Sequence, residues 1–290
     1  MADDRGPLRR GGTESLMETF AETWLRLREP YDHAARSAPL ARRFLAALPA
    51  APRVLDLAAG AGSNARYLVS LGMRRADWVL ADADRALLAA ADVGIAHAER
   101  VIVDLARPGR GLDLTRIDGV TAAAFGDLVS AAWLARFVRR VAHFRLPVLM
   151  ALSVDGRALW TPEDADDVLV QRLFRRDQAR DKGFGPALGG AAAWRLASMF
   201  RGYGYRVHMG CSDWRIGPQD RAMHDRMIDG FAAAATDAAP EARDRIADWS
   251  ARRRAQAADG LLRLSVGHRD CLALPPTGVS LKRSPPLNSP

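Results

Sequence analysis

A short stretch in the first quarter of the chain combines an acidic residue with two glycines in a pattern that suits ligand binding. Asp56 lies in an apolar run, Gly60 and Gly62 form a tight Gly-x-Gly turn, and Asn64 opens a helical pattern. Glycine lets the backbone turn sharply and lets a ligand approach without a Cβ in the way. The helix N-terminus behind the turn favours a carboxylate or a phosphate. We therefore predict a ligand site at this turn.

Two further acidic residues follow the next predicted strands. Asp82 ends the second strand, where a carboxylate can accept two hydrogen bonds from the hydroxyls of a ribose. Asp84 is the neighbouring candidate, but it suits the N-cap of a helix. Asp104, which precedes Leu105, follows the third strand. Because ligands of open parallel sheets bind at the carboxyl ends of the strands, the three acids together indicate a nucleoside site.

Asp56 indicates which kind of nucleoside ligand the site binds. The spacing of Gly60, Gly62 and Ala65 also fits the G-x-G-x-x-G/A pattern of dinucleotide binders. A carboxylate at Asp56 suits a pyrophosphate poorly, but it suits a ligand with an ammonium and a sulfonium, and S-adenosylmethionine (SAM) carries both. Alternatively, Asp56 only braces the turn by accepting backbone N–H bonds, and the two roles are compatible.

The elements around these residues predict an α/β fold. Strands alternate with helices between residues 54 and 152, which implies a parallel sheet covered on both faces. We predict a helix at 14–28 and a second helical stretch from Pro30 to Leu48, a helix that starts at Thr161-Pro162, and two alanine-rich helices within 218–260. The seven predicted strands are 54–57, 78–81, 101–103, 119–124, 147–152, 205–209 and 262–274.

Composition limits the class of protein. The chain has 290 residues, of which 49% are apolar, enough for a sizeable core, but it has no apolar run of eighteen residues that would predict a membrane helix. Residues 1–12 are polar and lack the apolar segment of a secretory signal, so we expect a cytoplasmic location. Cys211 and Cys271 are too few for a disulfide scaffold, and no H-E-x-x-H or C-x-x-C motif is present, so we predict no metal.

The charge of the chain raises the question of a nucleic-acid partner. The formal net charge is +8, yet the cations are mostly arginines scattered among Ala and Asp, which makes such a partner unlikely. We expect one domain at 13–274, with a helical cap at 13–48, a lid at 153–190 and a helical insert at 218–260. The ends, 1–12 and 275–290, are predicted to be disordered.

Residues 56–152 resemble the core of a class I SAM-dependent methyltransferase, and 205–209 and 262–274 resemble its terminal antiparallel strands. Four motifs are similar to a bacterial subgroup of that family and extend the resemblance over nearly the whole chain: WLRLREP at 24–30, DLVS at 127–130, DKGFGP at 181–186 and SDWR at 212–215. The resemblance implies a doubly wound, seven-stranded, mostly parallel Rossmann-like sheet with N-terminal helices and a helical insert before the last strand. It supplies no substrate. One departure is Ala58-Ala59, where many members carry Gly and Cys.

The resemblance also implies roles for individual residues. Asp104 would accept from the adenine amino group and the N–H of Leu105 would donate to the ring, while Asp127 would orient or deprotonate the nucleophile unless it only starts a helix. Arg36 would meet the methionine carboxylate of SAM, although an ion pair with Asp32 is the simpler reading. The residues implied to bind the cofactor are Asp56, Ala58, Gly60, Gly62, Asn64, Asp82, Ala83, Asp104, Leu105 and Arg36.

The predicted function is methyl transfer from SAM to a small-molecule acceptor. One alternative is an NAD(P)-dependent oxidoreductase, which Asp56 disfavours. A second is a non-catalytic binding protein with the same fold, and a third is an RNA methyltransferase, which would need a contiguous basic face beside the cofactor. The sequence does not indicate the oligomeric state or the acceptor.

Overall fold

The computed structural model describes residues 11–94, 98–107 and 112–276, with side chains from Thr23 onward. The residues predicted to be disordered lie mostly outside this part. Its helices and strands are α1 (Gly11–Ala35), α2 (Ala38–Ala46), β1 (Arg53–Leu57), α3 (Ser63–Ser70), β2 (Asp77–Asp82), α4 (Arg85–Ala90), β3 (Ala98–Ile102), β4 (Gly119–Ala123), α5 (Ala131–His143), β5 (Val148–Thr161), α6 (Asp167–Gln178), α7 (Ala192–Gly202), β6 (Arg206–Cys211), β7 (Trp214–Ile216), α8 (Arg221–Ala238), α9 (Arg243–Ala258) and β8 (Arg263–Leu274).

The described strands form one sheet in the order β3-β2-β1-β4-β5-β8-β6, and β7 pairs with β8 beside this path. Strands β1 to β5 are parallel, whereas β8 is antiparallel to β5, β6 and β7. The predicted α/β class with a mostly parallel sheet is confirmed. The sheet has eight strands instead of the predicted seven, because Trp214–Ile216 is too short for its alternation to show in the sequence.

The parallel strands are apolar along most of their length because helices cover both faces of the sheet. In β1, Val54 to Leu57 are all buried. Helix α4 begins where Asp84 accepts a hydrogen bond from Leu87 N–H at 3.0 Å, and α5 begins where Ser130 accepts one from Trp133 N–H at 3.2 Å. Asp84 is therefore the N-cap that the sequence predicts.

The N-terminal helix differs from the prediction. Helix α1 continues through Pro30 to Ala35, whereas the sequence favoured a new helix at Pro30. Proline removes one backbone N–H from a helix interior, and packing on the rest of the protein has to compensate. Trp24 and Tyr31, one on each side of Pro30, both pack against the cluster formed by β7, α8 and neighbouring elements.

Strand β5 is longer than predicted. It pairs with β8 from Val148, opposite Ala273, to Thr161, opposite Arg263, with two irregularities in register between these ends. The helix predicted to start at Thr161 starts instead at Asp167, because residues up to Thr161 remain in the strand. The first part of the segment 153–190 is therefore sheet.

Beyond the parallel strands, the extended ends of β5 and β8 carry a second hydrophobic cluster with β7 and the helices α6, α8 and α9. Helices α8 and α9 are the helical insert that the sequence predicts before the last strand. Within the described residues, no helix has the length and apolar character needed to cross a membrane.

Candidate functional site

The turn between β1 and α3 has the backbone conformation that its glycines suggest. Gly60 and Gly62 have φ values of +49° and +81°, in the left-handed region that favours glycine. Asp82 accepts a hydrogen bond from Gly60 N–H at 2.8 Å through one carboxylate oxygen and from Asp84 N–H at 2.9 Å through the other. Each oxygen keeps a free lone pair. The structure therefore brings Asp82 to the turn, while Ala83 is exposed just after β2.

Asp56 lies underneath the turn and is completely buried. Its Oδ1 accepts a hydrogen bond from Asn64 Nδ2 at 2.6 Å, and the same Nδ2 lies 3.1 Å from Thr121 Oγ1. Oδ2 has no partner among the described residues. Burial raises the pKa of Asp56 to about 7. Asp56 thus braces the start of α3 through the Asn64 side chain.

Arg36, at the end of α1, completes this network. Its Nη1 donates to Asn64 Oδ1 at 2.5 Å, and its guanidinium lies over the ring of Tyr67 at 4.1 Å from the centroid. Its Nε and Nη2 are buried and have no partner in the described part of the chain. Asp32, the simpler partner considered for Arg36, instead pairs with Arg28 at 2.9 Å. Burial lowers the pKa of Arg36, so an anion beside its open side would stabilise the charge.

Arg36, Asn64 and Gly60 border a cavity of about 470 Å³, which we call the turn cavity. Helix α1 contributes Arg28, and Arg36 follows directly after this helix. The β1–α3 turn contributes its backbone, Ala124 follows β4, and Leu152 lies within β5. Of the residues predicted to bind a cofactor, those that line this cavity are Arg36, Ala58, Gly60 and Asn64.

A larger cavity, of about 650 Å³, lies beside the turn cavity, and we call it the aromatic cavity. The two cavities share three lining residues, Arg28, Ala124 and Leu152. Aromatic side chains from four elements line the larger cavity: Trp24, Phe174, Trp214 and Phe231. Its volume is that of a small-molecule site. The shared wall is therefore the place where groups bound in the two cavities would meet.

The backbone is strained just after β1, just after β4 and within β5. Ala58, Ala124 and Leu152 have φ values of +51°, +52° and +55°, and all three line the turn cavity. Residues other than glycine seldom adopt this conformation, and they cluster at functional sites when they do. Leu152 is held in place by Asp270, whose Oδ1 accepts its N–H at 2.9 Å.

Asp127, the predicted catalytic residue, lines the aromatic cavity. Its Oδ1 is buried and has no hydrogen-bond partner among the described residues. Burial raises the pKa of Asp127 to about 6. Helix α5 is capped by Ser130, so Asp127 does not have the capping role that was the alternative. A ligand in this cavity that reached Oδ1 with a hydrogen-bond donor would supply the partner that this oxygen lacks.

Asp104 and Leu105 lie apart from the turn cavity. They line a third cavity, of about 570 Å³, between the sheet and α5. Asp104 is exposed, accepts a hydrogen bond from Ala106 N–H at 2.9 Å and pairs with Arg107 at 3.2 Å. The structure therefore brings Asp56 and Asp82 to the glycine turn but leaves Asp104 in a neighbouring cavity.

Two buried polar residues of β8, His268 and Asp270, were missed by the sequence analysis. They continue the alternation of Leu264 and Val266 on the buried face of the strand. The signal was a polar pair at apolar positions of a strand. Within residues 11–94, 98–107 and 112–276, no group of three His, Cys, Asp or Glu side chains is placed to hold a metal ion.

No family model and no curated protein match the chain. It is similar to a protein of Bacillus halodurans C-125 described as a methyltransferase, at 18% identity and a TM-score of 0.46, over 82% of this chain and 97% of that one. It is also similar to a SAM-dependent methyltransferase from Thiobacillus denitrificans in complex with S-adenosyl-L-homocysteine, at 16% identity and a TM-score of 0.42, over 87% and 98% of the two chains. A third is a cyclopropane-fatty-acyl-phospholipid synthase-like protein from Lactobacillus casei ATCC 334, at 15% identity and a TM-score of 0.46, over 85% and 99%.

Proposed function

We propose that this protein transfers the methyl group of SAM to a small molecule bound in the aromatic cavity. The observation that carries the proposal is the wall of Arg28, Ala124 and Leu152 that the turn cavity and the aromatic cavity share. SAM supplies a methyl group that its sulfonium already activates. The task of the protein is then to bring an acceptor atom into line with that group at this wall.

The residues around the turn cavity fit the polar ends of SAM. The open Nε and Nη2 of Arg36 would gain a carboxylate as partner, which compensates for the burial of the guanidinium. The free lone pairs of Asp82 would accept from ribose hydroxyls. Asp56 holds Asn64 and, through it, Arg36. Asp104 and the N–H of Leu105 remain the proposed contacts of the adenine, and Gly62 and Ala83 those of the nucleoside.

The aromatic cavity would promote methyl transfer by aligning the acceptor atom with the methyl group and by excluding water. Holding the acceptor atom about 3–3.5 Å from the methyl carbon can supply roughly 7–11 kcal/mol of the barrier. The rings of Trp24 and Trp214 replace water around the acceptor and strengthen the electrostatic interactions of the site. Asp127 Oδ1 would orient the acceptor by accepting a hydrogen bond from it.

The arrangement of the arginines does not favour an RNA acceptor. Four arginines of α9, among them Arg245, Arg252 and Arg253, are paired with acidic residues just before α6, at its first residue, or on α8. Near the cavities, Arg28 is paired with Asp32 and Arg66 with Glu29. Paired cations contribute little to the attraction of a phosphate backbone.

Calorimetric titration of the protein with SAM, S-adenosylhomocysteine and NADH tests the proposal. We expect the first two to bind with micromolar dissociation constants and NADH to show no heat of binding. Incubation with SAM carrying a labelled methyl group and a mixture of small hydroxylated aromatics, followed by mass spectrometry, then shows whether the label is transferred. Binding of NADH without binding of SAM would contradict the proposal and support the oxidoreductase alternative.

A further inference from the structure

His268 stands close to the wall that the two cavities share. On β8 it lies opposite Val154 of β5, two residues beyond Leu152. Asp270, which holds the N–H of Leu152, is two residues from His268 and therefore points to the same face of β8. The His268 ring is almost fully buried from bulk solvent, yet it lines the aromatic cavity.

The hydrogen bonds of His268 define its tautomer. Its Nδ1 lies 3.0 Å from the carbonyl oxygen of Val266. A carbonyl oxygen can only accept, so Nδ1 carries the proton, and in the neutral ring Nε2 is left as an acceptor. The ring packs against Trp214 at 4.9 Å between centroids, which fixes its orientation. No residue of the described ranges donates a hydrogen bond to Nε2.

The surroundings of His268 keep the ring neutral. Burial lowers its pKa, and the guanidinium of Arg28 on α1 lowers it further. Asp32 on α1 and Asp155 on β5 act in the opposite direction, but Asp32 is engaged with Arg28, and Asp155 with Arg157. Asp213 also lies beside it, where it accepts the backbone N–H of His268 at 3.1 Å and pairs with Arg157.

The aromatic cavity itself indicates the class of acceptor. Its rings favour a flat aromatic ligand, since offset and edge contacts between rings add to the burial of area. Asp127 and His268 both line this cavity, and Asp127 Oδ1 and His268 Nε2 are acceptors that have no hydrogen-bond donor among the described residues. A ligand that leaves them unpaired would pay the desolvation of both, so the ligand that fits presents a hydroxyl.

We propose that His268 is the catalytic base, that its Nε2 takes the proton of the acceptor, and that the acceptor is a hydroxylated aromatic ring. This inference rests on the proposed function. As the hydroxyl oxygen forms its bond to the methyl carbon, the bond from that carbon to sulfur breaks and its electron pair stays on sulfur. The hydroxyl proton moves to Nε2, and the imidazolium later releases it to solvent, so no oxidant or reductant is needed.

Nitrogen NMR of protein labelled with 15N-histidine tests the tautomer without any substrate. The His268 signals are assigned by their loss in His268→Gln, with His143→Gln, an exposed histidine at the end of α5, as the control. At pH 7 we expect an unprotonated Nε2 and a protonated Nδ1. A protonated Nε2 at this pH, in either the other tautomer or the imidazolium, would overturn the assignment.

The role of Nε2 in recognition is tested with 2-naphthol and its methyl ether as probes, each titrated into protein saturated with S-adenosylhomocysteine. The ether has the same rings but no proton to donate. We expect wild-type protein to bind 2-naphthol about fivefold more tightly than the ether. His268→Phe should lose this preference, while His268→Gln, whose amide oxygen still accepts, should keep part of it. An equal affinity of wild-type protein for the two probes, or no binding of either, overturns the proposal.

The same experiments separate this inference from the proposed function. S-adenosylhomocysteine should bind His268→Phe as tightly as wild type, because His268 does not line the turn cavity. If wild-type protein fails to bind S-adenosylhomocysteine, the proposed function itself is wrong. If it binds normally but the preference for 2-naphthol survives in His268→Phe, only the role of His268 is wrong.

Discussion

Asp270 accepts a hydrogen bond from the backbone N–H of Leu152 at 2.9 Å, at the point where β5 passes through a left-handed conformation. The second oxygen of the same carboxylate accepts the N–H of Ser37 at 2.8 Å, between α1 and α2. One buried side chain therefore links the strained point within a central strand to the segment between α1 and α2, which also contains Arg36. The shape of the turn cavity depends on this link.

Replacement of Asp270 by alanine should destabilise the protein by about 3 kcal/mol, because it leaves two buried N–H groups without an acceptor. Urea unfolding at pH 7 measures the change. Asp270→Asn keeps one acceptor oxygen, so its loss of stability should be roughly half that of the alanine variant. An alanine variant as stable as wild type would show that water or a shift of the chain replaces both bonds.

The left-handed conformation of Ala124 predicts an unusual response to glycine. Glycine normally costs about 0.5–1 kcal/mol in a strand, but it relieves the strain that a Cβ causes at a φ of +52°. Ala124→Gly should therefore unfold at the same or a slightly higher urea concentration than wild type. Its neighbour Ala123→Gly, within β4, should be destabilised by about 1 kcal/mol. Equal destabilisation of the protein by the two substitutions would show that the backbone at Ala124 is not strained.

The parts of the site that follow from the sequence are those that depend on local pattern. Asp56, Gly60 and Gly62 predict the turn, because a strand, a tight turn and a helix follow one another in adjacent residues. His268 and Asp270 could not be placed in the same way, since the position of His268 opposite Val154 and the hydrogen bond from Leu152 to Asp270 depend on the register between β8 and β5. A register exists only once the strands are paired.

The differences between the predicted and the observed fold have related causes. Local preference at Pro30 was overridden by packing on both of its sides, so α1 continues. The apolar run that predicted β5 ends at Leu152, but the strand continues because β8 is long enough to pair with it up to Thr161. Asp104 follows the strand that the pattern predicted and lines the third cavity, and its contact with the adenine stays a prediction.

Arg36 should be required for binding of SAM. Arg36→Met removes the unpartnered Nε and Nη2 of the guanidinium and should weaken the binding of SAM at least thirtyfold. A charged hydrogen-bonded pair at a buried site contributes 2 kcal/mol or more. Isothermal titration calorimetry measures the affinity. Arg42→Met, an exposed arginine of α2, is the matched control and should bind SAM as wild type does. Unchanged binding by Arg36→Met would remove Arg36 from the site.

Asp56 should make stability depend on pH. Its pKa is raised to about 7 in the folded protein, against 3.8 in the unfolded chain, so its contribution to stability is full below pH 4 and is lost as the pH rises to 7. Asp56→Asn cannot ionise. Its stability relative to wild type should therefore rise by roughly 3 kcal/mol between pH 4 and pH 8, measured by urea unfolding across that range. A constant difference would mean that Asp56 is ionised throughout.

Two adjacent arginines of α9 should differ sharply in their effect on stability. Arg253 is fully buried, donates to Pro162 O at 2.6 Å and to Gln256 Oε1 at 2.7 Å, pairs with Asp167, and lies over the ring of Trp160. Arg253→Ala removes one partner of a buried ion pair and should cost about 3–5 kcal/mol.

Arg252 is the control for this comparison, because it also pairs with acids before α6, Asp164 and Asp166, but from a solvent-exposed position. Water and salt screen such pairs, so Arg252→Ala should shift the urea midpoint by less than a third of the shift that Arg253→Ala causes. Added salt should shrink the effect of Arg252→Ala and leave that of Arg253→Ala nearly unchanged. Similar midpoints for the two variants would mean that the exposed network, and not the buried guanidinium, holds α9 on the extended end of β5.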